Sequence, residues 1–223
     1  MVQQSIEDYL KAIYLLALSE SPVRTTTLAD EREVKPASVT NMVQKLARKG
    51  LVQYRKHQGV TLTPKGEQIA LRVLRYHGLL ELFLMQELGY SWDEVHQEAE
   101  QLEHAISKKF AERLNEVLGS PEYDPHGEPI PQADGSLLII DDVPLTNLPQ
   151  GREAIITRIA DDTDSELLMY LADLGLLPGT TIKVCAKAPY EGPITIAIEE
   201  TEKVVGYRAA GEIMTDPIEE EVI

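Results

Sequence analysis

Six side chains between residues 77 and 104 join a cation-ligating type to a spacing that shares a helical face. His96, Glu100, Glu103 and His104 stand at offsets 0, 4, 7 and 8, and at about 100° per residue these offsets share one face of a helix. His77 and Glu81, four residues apart, project from one face of the helix before it. Asp8, on the first helix, can add another oxygen. Four of the five histidines lie between residues 77 and 126. The donors are imidazole and carboxylate without thiol or thioether, a set that suits Mn²⁺, Fe²⁺ or Zn²⁺. Clustering them in an apolar-rich chain carries a desolvation cost that a bound cation offsets. The plain alternative is a solvated, salt-bridged helix face, and few Lys or Arg accompany these donors to make it. The order H-x-x-x-E-x-x-E-H is not the H-E-x-x-H of metal proteases, and no strand-to-helix nucleophile motif occurs.

The second set of chemical interest is polar and basic, on the element read as a helix over 36–49. Its outer face offers Ser38, Thr40, Asn41, Gln44 and Lys45, with Ala37 near its start. Asn and Gln can pair bidentately with adenine, and Ala or a Thr methyl can touch the thymine methyl. Arg55, Lys56 and His57, at the tip of a hairpin, suit phosphate contacts. Thr26 and Lys35 complete the candidate DNA contacts.

The elements that must hold these residues follow from periodicity and punctuation. Ile6, Tyr9, Leu10, Ile13, Leu16 and Ala17 are spaced as one helical face over 5–20, with Ser5 as its cap and Pro22 beyond its end. Residues 25–33 read as a short helix, a break follows at Val34-Lys35-Pro36, and the 36–49 helix ends at Gly50. Alternation over 51–63 around His57-Gln58-Gly59 is a hairpin. Pro64 opens a helix to about His77, and a separate helix is expected over 78–88. That order is winged-helix. A long helix is expected over 92–118, then an ordered loop and linker over 119–150. A β-barrel of roughly 60 residues follows, with strands at 153–159, 181–186, 194–198 and 203–206 and a helix at 166–174. The expected fold is mainly α with a small β part. Its segments are 1–73 (winged helix-turn-helix), 74–147 (helices and linker that carry the metal-ligand candidates) and 148–223 (small β-barrel).

Composition sets bounds. The net charge is −16 over 223 residues, which by itself argues against nucleic acid. Residues 1–76, however, carry 12 Lys and Arg against 7 Asp and Glu, and the remainder 9 against 30. A basic head on an acidic body is the pattern of a DNA-binding domain joined to something else. One cysteine, Cys185, allows neither an internal disulfide nor a four-cysteine zinc site. No apolar run reaches the roughly 18 residues of a membrane span, and the first residues lack signal-peptide features. A cytoplasmic protein is expected, with no membrane partner and no small-molecule substrate. The Glu219–Glu221 run reads as a solvated acidic tail.

With these residues in view, the chain resembles the diphtheria toxin repressor family of metal-dependent regulators, and within it the manganese transport regulators. The resemblance rests on Ser5 through Leu10, Ser38 through Leu46, Val60 through Gly66 and His96 through Ser107. The stretch from Leu148, with Leu174-Gly175-Leu176-Leu177-Pro178-Gly179, resembles the SH3-like domain of ferrous-iron transport accessory proteins. The resemblance implies a homodimer whose binding to palindromic operator DNA, in metal transport genes, is activated by Mn(II) or Fe(II). It implies a primary site of Asp8, Glu100, Glu103 and His104 with His77 in or beside it. It implies an ancillary role for Glu81 and His96. It implies a second site completed by Asp124 and His126 of the linker loop, closed by a carboxylate from 161–166, first of all Asp161. Iron-type members have Met and Cys in place of Asp8 and Glu100, which favours Mn²⁺ here. Two-metal manganese regulators have Glu where this chain has Lys11, which argues against an adjacent two-metal site unless Lys11 is an ordinary surface residue.

The expected mechanism is that metal joins Asp8 to the 100–104 carboxylates and imidazole, stills the first helix and selects a DNA-competent state, with operator and metal tightening each other reciprocally. Two other classes stay open. One is a metal-independent winged-helix regulator whose acidic part binds a protein. The other is a His/Glu metal hydrolase, which would need an open coordination position and a substrate cleft.

Overall fold

The computed structural model describes residues 2–218, the side chains from residue 4 on. The Glu219–Glu221 run lies outside the described residues. The chain divides into two compact units. The first comprises 1–77, 103–106 and 131–136, the second 78–102, 107–130 and 137–223.

In the first unit, α1 (Val2–Ala17), α2 (Thr25–Glu31) and α3 (Pro36–Arg48) precede a hairpin of β1 (Val52–Arg55) and β2 (Gly59–Leu62). Ser5 lies inside α1 rather than at its cap. Pro36 opens α3, where its missing N–H costs nothing. Val39, Val43 and Leu46 form the buried stripe of α3 and join Leu10, Ile13, Leu28 and Val60 in one core. The opposite face therefore turns outward. Lys35, Ala37, Ser38, Asn41 and Gln44 are exposed, and Thr40 and Lys45 half-buried. Thr26 on α2 and Arg55 and Lys56 on the hairpin are exposed as well. The helix order and wing read from the sequence are those observed.

Helix α4 (Pro64–Leu88) is one element of 25 residues, not two helices meeting near His77. Gly78 is helical, and its lack of a side chain serves packing. A Cβ there would stand 2.9 Å from Ile130 Cγ1 and 3.3 Å from Asp124 Cβ, so glycine admits the 124–130 loop against the helix. The expected 92–118 helix is instead α5 (Val95–Leu102) and α6 (Lys108–Val117). Between them 103–107 form a turn, and Ser107 Oγ caps α6 by accepting from Phe110 N at 3.2 Å. The cap outweighs the continuous periodicity from which one helix was expected.

The rest of the second unit is a six-stranded antiparallel sheet of β3 (Val143–Pro144), β4 (Glu153–Ile159), β5 (Thr181–Lys187), β6 (Ile194–Ile198), β7 (Thr201–Val205) and β8 (Ile213–Pro217). Its strand order is β3-β8-β4-β5-β6-β7. Helix α7 (Ser165–Asp173) is capped by Asp164, which accepts from Glu166 N and Leu167 N, and α8 (Tyr207–Glu212) precedes β8. Alternate residues Ala154, Ile156, Ile182, Val184, Ile194 and Ile196 turn inward to a core shared with Leu168 and Leu171. The sequence reading missed β3, α8 and β8. Bulges at Ile156/Arg158 and Val184/Ala186 bend the sheet.

Gly78→Ala is expected to lower stability by about 1–3 kcal/mol despite alanine's better helix propensity. Gly211→Ala, at a helical glycine with open space around it, is expected to leave stability unchanged or slightly raised. Thermal unfolding of both variants checks the contrast.

Candidate metal centres

The first cluster belongs wholly to the first unit. Asp8 projects from α1, His77 from α4, and Glu103 and His104 from the turn after α5. Asp8, Glu103 and His104 each present an atom within 4.8 Å of the others. His104 Nε2 is 2.6 Å from Asp8 Oδ1 and 3.2 Å from Glu103 Oε1. Its other nitrogen, Nδ1, is 2.9 Å from Glu7 Oε2. A carboxylate behind an imidazole sets the ring's tautomer and orientation and frees the far nitrogen to ligate. Glu103 is almost fully buried, and its Oε1 has no hydrogen-bond partner among the described residues. A buried carboxylate oxygen in that state is costly without a cation.

Basic side chains surround this group. Lys11 Nζ lies 2.9 Å from Glu103 Oε2 and 3.2 Å from His77 Nδ1, and that nitrogen is 2.6 Å from the same Oε2. Lys11 is buried, so it is not a surface residue. Arg32 reaches Asp8 Oδ2 at 3.3 Å, and Arg72 reaches Glu7 Oε1 at 2.8 Å. Lys11 stood out in the sequence only for replacing the Glu of two-metal regulators, and Glu7 was not read as part of the site. Their i,i+4 spacing on α1, charged among apolar neighbours, is the signal that was there to use.

The second cluster belongs wholly to the second unit. Glu81 comes from α4, His96 from α5, Asp124 and His126 from the 119–142 loop, and Asp162 from the turn after β4. His96 Nδ1 lies 3.3 Å from Glu81 Oε1 and 3.4 Å from Asp162 Oδ2, and His126 Nδ1 lies 3.5 Å from Glu81 Oε2. Glu81, Asp124 and His126 offer atoms within 4.8 Å of one another. Asp124 Oδ1 accepts from His126 N and Glu128 N at 2.8 and 3.0 Å, which shapes the loop. His126 Nε2 donates to the Trp92 carbonyl at 2.9 Å. In the neutral ring Nδ1 then carries a lone pair aimed at a carboxylate, which a cation between them would reconcile. That Nδ1 is buried without a hydrogen-bond partner among the described residues.

The carboxylate that the 161–166 segment brings here is Asp162, not the expected Asp161. Asp161 Oδ1 instead closes its own turn, accepting from Thr163 N at 3.1 Å and Thr163 Oγ1 at 2.7 Å. A one-residue choice of this kind depends on turn geometry that periodicity does not encode. Glu100 is half-buried on α5, three residues before Glu103.

Charge in the second cluster is tightly balanced. Burial and the Glu81 charge push the Asp124 carboxyl well above the usual range, against the pull of His126. Burial alone would depress His96, but its hydrogen bonds to Asp162 and Glu81, with their charges, push it up to about 10. His126 is raised by Glu81 in the same contest with burial. Burial would raise Asp162, but His96 holds it below the carboxylate norm. Without an ion, protons on imidazole neutralise these carboxylates. A divalent cation held here would take over that role by displacing them.

The 124–128 loop is pinned to β4. Ile159 N donates to the His126 carbonyl at 3.0 Å, and Arg158 bridges Glu128 and Asp142. Gly127, at φ +89°, is required there, because a Cβ would stand 2.1 Å from the Thr157 carbonyl. Trp92, the single tryptophan, donates to the Pro125 carbonyl and lies 5.2 Å from the His126 ring.

A winged helix, buried His/carboxylate clusters and an SH3-like sheet domain define a DNA-binding regulator with metal-responsive chemistry. Family models cover nearly the whole chain. The iron-dependent repressor N-terminal DNA-binding domain matches 1–60, the iron-dependent repressor metal-binding and dimerisation domain 63–132, and the FeoA domain 143–217. The iron-dependent repressor IdeR of Mycobacterium leprae is 33% identical over 191 residues, covering 80% of this chain and 82% of its own. The HTH-type transcriptional regulator MntR of Lysinibacillus sphaericus is 37% identical over 125 residues, 56% of this chain and 89% of its own. A solved manganese-dependent transcriptional repressor in complex with manganese superposes with a TM-score of 0.87 at 38% identity, over 96% of this chain and 100% of its own. The chain belongs to the iron-dependent repressor family, the diphtheria toxin repressor type that its sequence resembles. The family is one of transcriptional repressors, not enzymes. Among the described residues no helix is long and apolar enough to cross a membrane.

Lys11→Met is expected to cost about 3–5 kcal/mol in chelator, because it strands the buried Glu103 charge. Urea unfolding of the ion-free protein measures this, and a loss below about 1 kcal/mol would show that Glu103 is compensated elsewhere.

Proposed function

We propose that this protein is a Mn(II)-activated, and secondarily Fe(II)-activated, homodimeric repressor of palindromic operators, acting in the cytoplasm on metal transport genes. The observation that carries the reading is the convergence of Asp8, Glu103 and His104 around a buried, unmatched carboxylate oxygen in a chain that begins with a winged helix. The names of its relatives, which pair manganese or iron with repression, support it. The working division is 1–73 for DNA, 74–147 for metal and dimerisation, and 148–223 for the SH3-like part.

Asp8, Glu103 and His104 would hold the first ion. Glu81, His96, Asp124, His126 and Asp162 would hold the second. Both sets are oxygen and nitrogen donors without sulfur, the hard-to-borderline set that suits Mn²⁺. The bound ion supplies positive charge where carboxylates converge. The residues themselves do the positioning. Asp8 ties α1 to the turn bearing Glu103 and His104, and Glu7 keeps His104 Nε2 directed at Asp8. Arg32, at the end of α2, takes the other oxygen of Asp8, so the helix-turn-helix shares a ligand with the site. On the DNA side, Asn41 and Gln44 would read base edges from α3, while Lys35, Arg55 and Lys56 would meet phosphates.

Fluorescence anisotropy of a selected palindromic duplex tests the whole reading. Binding should be tight with Mn²⁺, lost in chelator, and unresponsive to Mn²⁺ in His104→Ala. Tight binding that ignores chelator would remove the metal switch. Asn41→Ala should cost about 1–3 kcal/mol and relax one base position, whereas Lys56→Ala should weaken all sequences alike and lower the salt slope by about 1.

The Trp92 emission should report the second site during Mn²⁺ titration. Asp162→Asn is expected to shift that phase at least tenfold to higher Mn²⁺, and Asp161→Asn to leave it in place. The reverse order would assign the closing ligand to Asp161.

A further inference from the structure

We propose that the ammonium of Lys11 is a built-in cation that fills one half of the first cluster, so that this centre takes a single divalent ion. The inference rests on the metal reading above and adds the number of ions to it.

Glu103 is the junction. Its Oε1 faces His104 and Asp8, where the buried oxygen lacks a hydrogen bond, and its Oε2 faces Lys11 Nζ at 2.9 Å and His77 Nδ1 at 2.6 Å. Lys11 Nζ is also 3.2 Å from His77 Nδ1. The two atoms that a second ion would need, His77 Nδ1 and Glu103 Oε2, are therefore the two that the ammonium already touches. Divalent ions hold such donors at about 2.0–2.6 Å, so an ion and the ammonium cannot share that place. Nor can Lys11 withdraw cheaply. Its side chain is 10% exposed and that of Glu103 is 0% exposed, so displacement would leave a charged group buried and unpaired. Lysine has three N–H donors and no lone pair, so it can neutralise the carboxylate but cannot ligate an ion. Asp8 and Lys11, three residues apart on α1, occupy neighbouring positions on one face. One helix thus supplies a ligand for the ion on one side of Glu103 and a substitute for an ion on the other.

The test uses the full-length protein with Mn²⁺ alone, by equilibrium dialysis with metal analysis and by electron paramagnetic resonance. The unaltered protein is expected to bind two ions per protomer, one in each cluster, with no spin-coupled pair at saturation. Lys11→Glu exchanges the ammonium for a ligand and is expected to bind three, with the spectrum of a coupled pair a few ångströms apart. Two ions in both proteins, with no coupled spectrum in either, would overturn the inference and leave the metal reading intact. A coupled pair in the unaltered protein would overturn it without recourse to the variant, whether or not the variant folds. Failure of the unaltered protein to bind Mn²⁺ at all would overturn the metal reading, and this inference with it.

Discussion

Carboxylates brought together out of water must be matched by positive charge, and the architecture of this protein is arranged around that requirement. Glu81 and Glu103 have side chains with essentially no solvent exposure, and each lies among other acids. In the first cluster the compensation is covalently attached. Lys11 pairs with Glu103, Arg32 with Asp8 and Arg72 with Glu7. In the second it comes from imidazoles that hold their protons against burial. Protons leave and return with an incoming cation, whereas a lysine stays. The first cluster thus carries its compensating charge on the chain itself, and the second carries it on groups able to exchange a proton for another cation.

The packing serves the same end. A glycine in the middle of α4 lets the Asp124 loop come up to the helix that carries Glu81. A second glycine, at position 127, lets that loop lie on the backbone of β4. Arg158 then fastens it through Glu128 and Asp142. The SH3-like domain is thereby part of the second cluster's framework, and it contributes Asp162 directly.

The uneven charge along the chain has a related logic. The acidic excess falls after residue 76, away from the helix-turn-helix, where it would oppose phosphate. The helix-turn-helix keeps its outward face polar and basic because Val39, Val43 and Leu46 commit the other face of α3 to the core. Asp8 and Arg32 bring the chemistry of the cluster to within one ion pair of that element.

Much of this was legible beforehand, because periodicity and local chemistry are written in sequence. The winged-helix order, the outward residues of α3, four strands of the sheet and the ligand-type residues from 77 to 104 follow from spacing, caps and residue type, whereas Asp124 and His126 were named only by the family resemblance. What the sequence could not decide depends on which turns the chain takes and what packs beside them. A single 92–118 helix would have put His96, Glu100, Glu103 and His104 on one face. The break capped by Ser107 instead gives His96 to one cluster and Glu103 and His104 to the other. Asp161 and Asp162 are the same residue type one position apart, and only the turn made with Thr163 selects between them. Lys11 looked either functional or ordinary, and only the tertiary fold, by burying it against Glu103 and His77, made its charge part of the site. Residue type determined which chemistry was available to this protein. Long-range packing in a medium of low dielectric decided which charges had to meet.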